Sequence, residues 1–422
     1  MRLFIEACGV VCALGRGKAA VAKSLFSGPD AATFSGPDAA TDAPRDAVAS
    51  TGLNPKWDNR LSTRDDLIPG RSLLAGAVEG PLPPSPAAAS EFDCRNNRLL
   101  LLALEEIAEP VRAAVARYGR DRIAVVMGSS TSGIAEAEPA LGARRRDGVW
   151  PPGFDYRQQE PGNIAEFAAR ALGLTGHAYT IATACSSSAK VFASARRLIL
   201  AGFADAAIVG GADTLCGMTA NGFASVEALS QTRCNPFGAG RDGITIGEGA
   251  AAFLLTTVAA PVEFLGAGET SDAYHPTAPD PEGGGARAAM AAALADAGLA
   301  PRHITYINLH GTGTPLNDAM EARAVVDLFG MDTPCGSTKR LTGHMLGATG
   351  GVEAAFLWLT LHPATTHGVL PPHGWDGQLD PDLPPLRLVP AGTRVPAAGR
   401  AAMLSNSFGF GGSNAALILG RA

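Results

Sequence analysis

The order of strand-like and helix-like segments is the feature that most restricts the fold of this chain. Residues 121–127 (DRIAVVM) form a short apolar run typical of a buried strand, and the same strand, loop and helix order recurs after a break near residue 260. This alternation predicts an α/β fold in which helices cover a buried sheet. Further strands are predicted at 179–182, 206–209, 304–309 and 416–419, and helices at 98–118, 163–172, 186–201, 286–297, 317–329 and 350–361.

Proline and glycine mark the expected interruptions. Pro110 lies inside the helical pattern of residues 98–118, so we expect a break or kink at this proline. Loops are predicted at residues 80–89 and 370–396, which are rich in proline. The segment FSGPDAAT occurs at residues 26–33 and again at 34–41, which we interpret as a duplication within a surface loop.

Composition excludes several classes of protein. Hydrophobic residues make up 46% of the 422 residues and charged residues 18%, which predicts a large core. The net charge of −6 gives no reason to expect binding to nucleic acid. Glu6 interrupts the N-terminal apolar segment, and no apolar run is long enough for a membrane helix. We therefore expect neither a signal peptide nor a membrane protein.

The cysteines and the arginines carry weaker signals. The seven cysteines include no C-x-x-C pair, so neither a disulfide framework nor a metal site is expected, and a reducing cytoplasmic location is predicted. Arg144, Arg145 and Arg146 form the one basic cluster. This cluster is either a solvated helix end or a docking point for an acidic partner.

Cys185 is the first candidate for chemistry. It lies in the block TACSSS (183–188), between a predicted strand and a predicted helix. A cysteine at a helix N-terminus is favoured as a thiolate, and the sharp turn leaves a backbone amide available to an oxyanion. The alternative is an inert buried cysteine, which is the usual state of a free thiol.

Two histidines occur in glycine-rich blocks of the second half. His310 begins the block HGTGTP directly after a predicted strand, where the sites of α/β proteins form. His344 lies in GHMLG, whose glycines predict a close approach of substrate or backbone. Lys339 precedes it, and Glu353 is a plausible counter-charge if this lysine is buried. A turn-capping histidine and an exposed lysine remain the alternatives.

The block NSFGFGGSN (406–414) is glycine-rich but is not a dinucleotide-binding motif, because Asn414 stands where the last glycine is required. A loop that carries two phenylalanines is suited to gate an apolar tunnel. The alternative is a tight turn before the last strand.

These blocks occur in the order TACSSS, HGTGTP, KRLTGHMLGATGGVE and NSFGFGGSNA, and together they closely resemble the signature blocks of β-ketoacyl-carrier-protein synthases. Weaker similarity covers essentially the whole chain outside the duplicated segment. The resemblance implies a thiolase-like five-layer αβαβα fold made of two pseudo-duplicated halves. We assign residues 1–260 to the half with the nucleophile and 261–422 to the half with both histidines.

The resemblance also implies a reaction. Cys185 would take an acyl chain from the phosphopantetheine of an acyl carrier protein, with no other cofactor. His310 and His344 would assist decarboxylation of a malonyl thioester and stabilise the enolate. Thr312 and Thr314 would hold the malonyl carboxylate or the pantetheine.

The remaining residues of the motifs would support this reaction. Lys339, paired with Glu353, would orient the site, and Asp318 would be structural. Phe410 would gate the acyl pocket, and its amide would join that of Cys185 in an oxyanion hole.

Some features separate this chain from related classes. A thiolase needs a second catalytic cysteine near the C-terminus, but no cysteine follows Cys335. A non-catalytic chain-length factor usually lacks the nucleophile that Cys185 supplies. Lys190 stands where an apolar residue is more usual, so it either points into the acyl pocket or extends outward to solvent.

The resemblance implies a dimer, either of two identical chains or of this chain with a chain-length-factor-like subunit. The nucleophile block differs from that of housekeeping elongation enzymes, so we expect a dedicated pathway, for example polyene synthesis. The sequence leaves the acyl chain length and the starter unit open.

Overall fold

A computed structural model describes residues 1–26, 61–366, 368–395 and 401–421. Most of the duplicated segment, from residue 27 onward, lies outside the described residues, so its interpretation as a loop stays a prediction. Within the described part, a large mixed sheet forms the centre of the molecule.

Five strands form the first half of this sheet, in the order β1-β9-β7-β5-β6. The two pairings nearest β1 are antiparallel, and the two nearest β6 are parallel. Buried apolar residues occupy nearly all positions of the inner strands, because helices cover both faces. The strands are β1 (Leu3–Cys12), β5 (Ile123–Gly128), β6 (Ala178–Ile181), β7 (Ala206–Asp213) and β9 (Gly249–Thr256).

The second half repeats this arrangement in the order β10-β15-β14-β11-β12. Again two antiparallel pairings are followed by two parallel ones, which shows the internal duplication of the fold. Leu3 and Phe4 pair with Phe264 and Glu263 and join the two halves edge to edge. The strands are β10 (Val262–Ser271), β11 (Ile304–Asn308), β12 (Pro334–Gly336), β14 (Ala402–Gly409) and β15 (Ser413–Arg421).

The two halves of the sheet form two layers of the molecule, and helices form three more. Between the two halves lie α6 (Ser187–Leu200) and α11 (Thr349–Leu361), and every residue of α11 is buried. The outer layer of the first half contains α2 (Arg95–Glu105), α3 (Ala108–Tyr118) and α5 (Asn163–Leu172). The outer layer of the second half contains α8 (Gly284–Ala297) and α9 (Pro315–Phe329). The predicted five-layer αβαβα architecture is confirmed.

The remaining elements complete the described chain. The remaining helices are α1 (Lys18–Phe26), α4 (Ile134–Asp147), α7 (Gly217–Ser225) and α10 (Lys339–Thr342). The remaining strands are β2 (Gly15–Arg16), β3 (Ser62–Ile68), β4 (Arg71–Gly76), β8 (Ile246–Gly247) and β13 (Arg387–Leu388). Turns of 3-10 helix occupy Ala87–Phe92, Arg120–Arg122, Tyr156–Gln159, Pro301–His303 and Leu346–Ala348. No helix within the described ranges has both the length and the apolar character needed to cross a membrane.

The prediction of one helix over residues 98–118, broken at Pro110, was wrong about the position of the break. The structure has two helices, α2 and α3, and the interruption falls at Glu106 and Ile107. Pro110 lies in the first turn of α3, where its missing N–H has no partner inside the helix. The proline is therefore compatible with the start of a helix and does not break one.

Gly128 ends β5 directly against the start of α6. A Cβ atom placed on Gly128 would lie 2.4 Å from the backbone nitrogen of Ser188. Gly222 in α7 has no atom within 4 Å of the same position and provides a matched control.

We predict that Gly128→Ala lowers the free energy of unfolding by about 1–3 kcal/mol, because the added methyl group overpacks the contact between the sheet and α6. Urea denaturation measures this change. Gly222→Ala should leave stability unchanged or raise it, because alanine favours a helix over glycine. Equal stability of both variants would contradict the close approach at Gly128.

Candidate active site

Cys185 lies in a sharp turn between β6 and α6. The residue before it, Ala184, has a φ of 50°, a left-handed conformation that is unfavourable for a residue with a Cβ atom. The hydroxyl of Ser187 holds the turn, because it accepts from the amide of Thr183 at 2.9 Å and donates to the carbonyl of Ala184 at 2.6 Å. The sulfur is buried at the junction of the two halves.

Both histidines lie beside this sulfur. Nε2 of His344 is 3.0 Å from Sγ of Cys185, and its Nδ1 is 3.0 Å from Oγ1 of Thr349. The rings of His310 and His344 lie 5.3 Å apart in an edge-to-face arrangement. Sγ of Cys185 and one ring nitrogen of each histidine all lie within 4.8 Å of one another. The fold thus brings together three side chains from two different halves.

The glycines around His344 bring the backbone close to neighbouring segments. A Cβ atom at Gly343 would lie 2.5 Å from the carbonyl oxygen of Ile246, and one at Gly347 would lie 2.7 Å from a carboxylate oxygen of Asp213. The sequence predicted that substrate or backbone comes close to these glycines, and the structure shows groups of the protein itself at this distance.

Burial determines the protonation of this group. It lowers the pKa of both His310 and His344 well below the usual range, with a further decrease from the charge of Lys339. Both imidazoles are therefore neutral near pH 7. Burial also raises the pKa of Cys185 to about 11, although the amides of Phe410 and Cys185 and the charge of Lys339 oppose this increase.

The expectation of a thiolate from the position of Cys185 at a helix start was wrong for the resting enzyme. Loss of water around the sulfur outweighs the favourable amides. The thiol is neutral and faces the neutral Nε2 of His344, which can accept its proton as the sulfur attacks.

Lys339 and Glu353 form a buried ion pair behind the histidines. Nζ of Lys339 donates to Oε1 of Glu353 at 2.7 Å, and neither side chain is exposed to solvent. Burial raises the pKa of Glu353 to about 7, while the charge and hydrogen bond of Lys339 oppose the increase. The pair places a positive charge close enough to influence Cys185, His310 and His344.

The loop that begins with His310 is held by carboxylates of α9. The hydroxyls of Thr312 and Thr314 are 2.9 Å apart. Asp318 accepts from the amides of Thr312 at 3.1 Å, Gly313 at 3.2 Å and Phe237 at 2.8 Å, which is a structural contact.

Glu321 holds the start of the same loop, accepting from the amides of His310 and Gly311, each at 2.7 Å. Sequence reasoning missed this residue. Its spacing of three residues from Asp318 on one helix face was the available signal.

Phe410 lies beside the sulfur. Its amide hydrogen-bonds to Sγ of Cys185, and its ring lies 5.5 Å from that of Phe223 in α7. The residue is 38% exposed. Gly411 and Gly412 follow with φ angles of 82° and 75°, which give this loop a conformation that few other residues adopt.

The side chain of Lys190 is held by a contact that the sequence did not predict. Its Nζ donates to Oγ of Ser413 at 2.6 Å, so the side chain links α6 to the start of β15. It is half-buried, and burial lowers its pKa. Arg144, Arg145 and Arg146 are exposed at the C-terminal end of α4, away from this contact.

The fold and the site together define a class. A duplicated thiolase-like fold with a cysteine at the start of its central helix and two histidines from the second half is the arrangement of acyl-transferring condensing enzymes.

Comparison with known proteins narrows this class to a family. Residues 2–260 match the profile of the beta-ketoacyl synthase N-terminal domain, and residues 262–374 match the profile of the C-terminal domain. The chain belongs to the β-ketoacyl synthase family and is an acyltransferase.

Relatives and solved structures agree with this assignment. A 3-oxoacyl-[acyl-carrier-protein] synthase 2 of Staphylococcus aureus is 34% identical over 351 residues, which cover 77% of this chain and 83% of the relative. The enzyme of the same name from Coxiella burnetii is 38% identical over 287 residues, which cover 62% of this chain and 67% of the relative. One chain of the complex between the ketosynthase ApeO and its chain length factor ApeC from Xenorhabdus doucetiae is 42% identical with a TM-score of 0.85, covering 100% of this chain and 98% of the solved one.

The raised pKa of Cys185 predicts the pH dependence of its alkylation. Only the thiolate reacts with iodoacetamide, so the rate should rise about tenfold per pH unit from pH 6 to pH 9 without a plateau. Intact mass after timed exposure measures this rate, and Cys185→Ala provides the background. A plateau near neutral pH would instead indicate a thiolate paired with a protonated His344.

Proposed function

We propose that the enzyme catalyses decarboxylative Claisen condensation of an acyl group on Cys185 with a malonyl group on a carrier protein. The 3.0 Å contact between Sγ of Cys185 and Nε2 of His344, with His310 alongside, is the observation that carries this proposal. A thiol beside a neutral base is suited to acyl transfer, and a second imidazole is suited to stabilise an enolate.

In the first half-reaction, Sγ of Cys185 attacks the thioester carbon of the acyl carrier protein while its proton passes to Nε2 of His344. The amides of Cys185 and Phe410 point at this sulfur and are placed to bind the oxyanion that forms beside it. The sulfur of the carrier protein's phosphopantetheine then takes this proton from Nε2 of His344 and leaves as a thiol, and the acyl group remains on Cys185.

In the second half-reaction, the malonyl carboxylate leaves as carbon dioxide, and its bonding electrons form an enolate at the thioester. His310 and His344 donate hydrogen bonds to the enolate oxygen, which for His344 requires the tautomer with the proton on Nε2 and with Nδ1 accepting from the hydroxyl of Thr349. The enolate carbon attacks the acyl carbon on Cys185, and the sulfur leaves as a thiolate to give the β-ketoacyl product. A proton taken up from solvent then restores the thiol. Lys339 and Glu353 orient the two imidazoles, and Thr312 and Thr314 hold the malonyl carboxylate or the pantetheine.

The loop with Phe410 is the proposed gate. Phe410 lies beside Cys185 and is partly exposed, so movement of its ring would admit the acyl chain. The enzyme needs no cofactor of its own in this scheme, because the carrier protein supplies the phosphopantetheine.

We propose a cytoplasmic location, consistent with seven free, buried cysteines in the described residues. We also propose residues 1–260 and 261–422 as the two halves of the chain.

We propose a chain-length-factor-like subunit as the partner, in agreement with the complex of the ketosynthase ApeO and its chain length factor ApeC, one chain of which is 42% identical to this one. In the described part of the chain, β6 is a sheet edge that pairs only with β5. Natural proteins rarely leave such an edge uncovered.

Exposed apolar side chains also occur between α4 and α5. Val149, Trp150 and Tyr156 are 64%, 47% and 63% exposed. The hydroxyl of Thr180 in β6 donates to the carbonyl of Gly162, the residue before α5, at 3.4 Å. An unpaired strand edge and exposed apolar side chains are both suited to a permanent subunit interface.

The proposed partner predicts the behaviour of the chain expressed alone. It should be monomeric or poorly soluble, because the edge of β6 and the exposed apolar side chains stay uncovered. Gel filtration with light scattering measures the state, and Trp150→Ser with Tyr156→Ser should improve solubility. A stable dimer of this chain alone would contradict the proposed heterodimer and support a homodimer.

Loading of Cys185 tests the proposed function directly. Incubation with a panel of acyl-carrier-protein thioesters should raise the intact mass of the enzyme by one acyl group, and Cys185→Ala should show no increase. The chain that loads fastest identifies the pathway, which we propose to be a dedicated one such as polyene synthesis. Absence of an adduct from every donor, with and without a partner subunit, would contradict the proposal.

The same assay tests Arg144, Arg145 and Arg146 as the carrier docking site. Reversal of all three to glutamate should slow loading from an acidic carrier protein but not from a small acyl-pantetheine thioester, because only the protein meets the exposed arginines. If the variant loads at the wild-type rate from the carrier protein as well as from the small thioester, the cluster is not the docking site.

A further inference from the structure

His373 is a buried histidine that no sequence motif singled out. It lies in the segment that follows α11, and its ring packs between those of Phe237 at 6.1 Å and Trp375 at 5.4 Å. It does not belong to the group around Cys185, so a buried polar side chain at this place requires another explanation.

Both ring nitrogens of His373 have backbone partners. Nδ1 accepts from the amide of Ser337 at 3.0 Å, and Nε2 lies 3.1 Å from the carbonyl oxygen of Pro236. An amide only donates and a carbonyl only accepts, so Nδ1 carries no proton and Nε2 carries one. Only the neutral Nε2–H tautomer satisfies both contacts, and burial lowers the pKa of His373 to about 3, which keeps the ring neutral.

The two backbone partners belong to segments that hold the catalytic loop. Ser337 lies two residues before Lys339, and its hydroxyl donates to the carbonyl of Gly311 at 2.7 Å. Gly311 directly follows His310, so this bond fixes the position of the histidine relative to the lysine.

Pro236 lies on the other side of the same glycine. It precedes Phe237, which has a φ of 59° and whose amide donates a hydrogen bond to the carboxylate of Asp318. The Phe237 ring lies against Gly311, because a Cβ atom on this glycine would be 2.8 Å from the ring. His373 therefore ties together two segments that enclose Gly311.

We propose that His373 is a positioning residue, which fixes the loop of His310 relative to Lys339 through its contacts with Ser337 and Pro236. The inference rests on the proposed condensation reaction. His373 does not touch the reacting atoms, so its effect passes through the two segments.

The contacts of His373 predict which half-reaction depends on it. Neither of its hydrogen bonds reaches the turn of Cys185 or the loop of Phe410. Decarboxylation needs His310 in place, whereas acyl loading needs the sulfur and the oxyanion amides. Loss of His373 should therefore slow decarboxylation much more than loading.

Three substitutions separate the two hydrogen bonds. In His373→Asn the amide oxygen takes the place of Nδ1 and keeps an acceptor for Ser337. In His373→Gln the amide nitrogen takes the place of Nε2 and keeps a donor for Pro236. His373→Ala removes both bonds, while the amide of Gly374 still donates to the carbonyl of Ser337 at 3.1 Å and keeps the segment attached.

The experiment measures carbon dioxide release from malonyl-carrier protein and acyl loading of Cys185 for each variant. His373→Ala should lower decarboxylation by about tenfold or more, because a small displacement of a catalytic group has a large effect on rate. Loading should stay within about twofold of wild type, and the Asn and Gln variants should give intermediate decarboxylation rates. The exposed His303→Ala should match wild type in both assays.

The outcomes distinguish the inference from its premise. Wild-type decarboxylation in His373→Ala would overturn the positioning role. An equal fall of loading and decarboxylation, together with a lower melting temperature, would show a merely structural role. If the Ala variant fails to fold, the Asn and Gln variants decide by the same comparison. Failure of the wild-type enzyme in both assays would instead reject the proposed function.

Discussion

The buried ion pair of Lys339 and Glu353 is the interaction on which the site depends. A single charge buried at this place would be unstable by several kcal/mol, and the 2.7 Å contact compensates for the loss of water. The positive charge of Lys339 lowers the pKa of His310 and His344 and also that of Cys185. This charge therefore helps to keep both imidazoles neutral. It also offsets part of the increase that burial causes in the pKa of Cys185.

The duplicated fold explains why these groups meet. Cys185 precedes α6 in the first half, whereas His344 precedes α11 in the second, and these two helices form the central layer. The close contact of Gly128 with the start of α6 sets the height of the sulfur above the sheet. A site of this kind needs both halves, because neither contains a nucleophile together with its base.

The sequence predicted the repeated strand–helix order because that order depends on local apolar spacing, and it indicated Cys185 and the two histidines because they lie in glycine-rich turns. It could not predict the raised pKa of Cys185, which depends on burial in the assembled molecule. The role of His373 could not be predicted either, because its partner Pro236 is 137 residues away and contributes only a backbone carbonyl. Pro110 misled the helix prediction because proline is tolerated in a first turn, whereas in a helix interior it removes a hydrogen bond.

The left-handed conformation of Ala184 has a consequence for the range of substrates. The direction of the Cys185 side chain follows from a backbone angle that two hydrogen bonds of Ser187 maintain. The proposed point of acyl attachment is thus set by this turn and not by the side chains that line the path proposed for the acyl chain. Evolution can alter those side chains, and with them the length or saturation of the product, while the carbon that reacts stays in the same place.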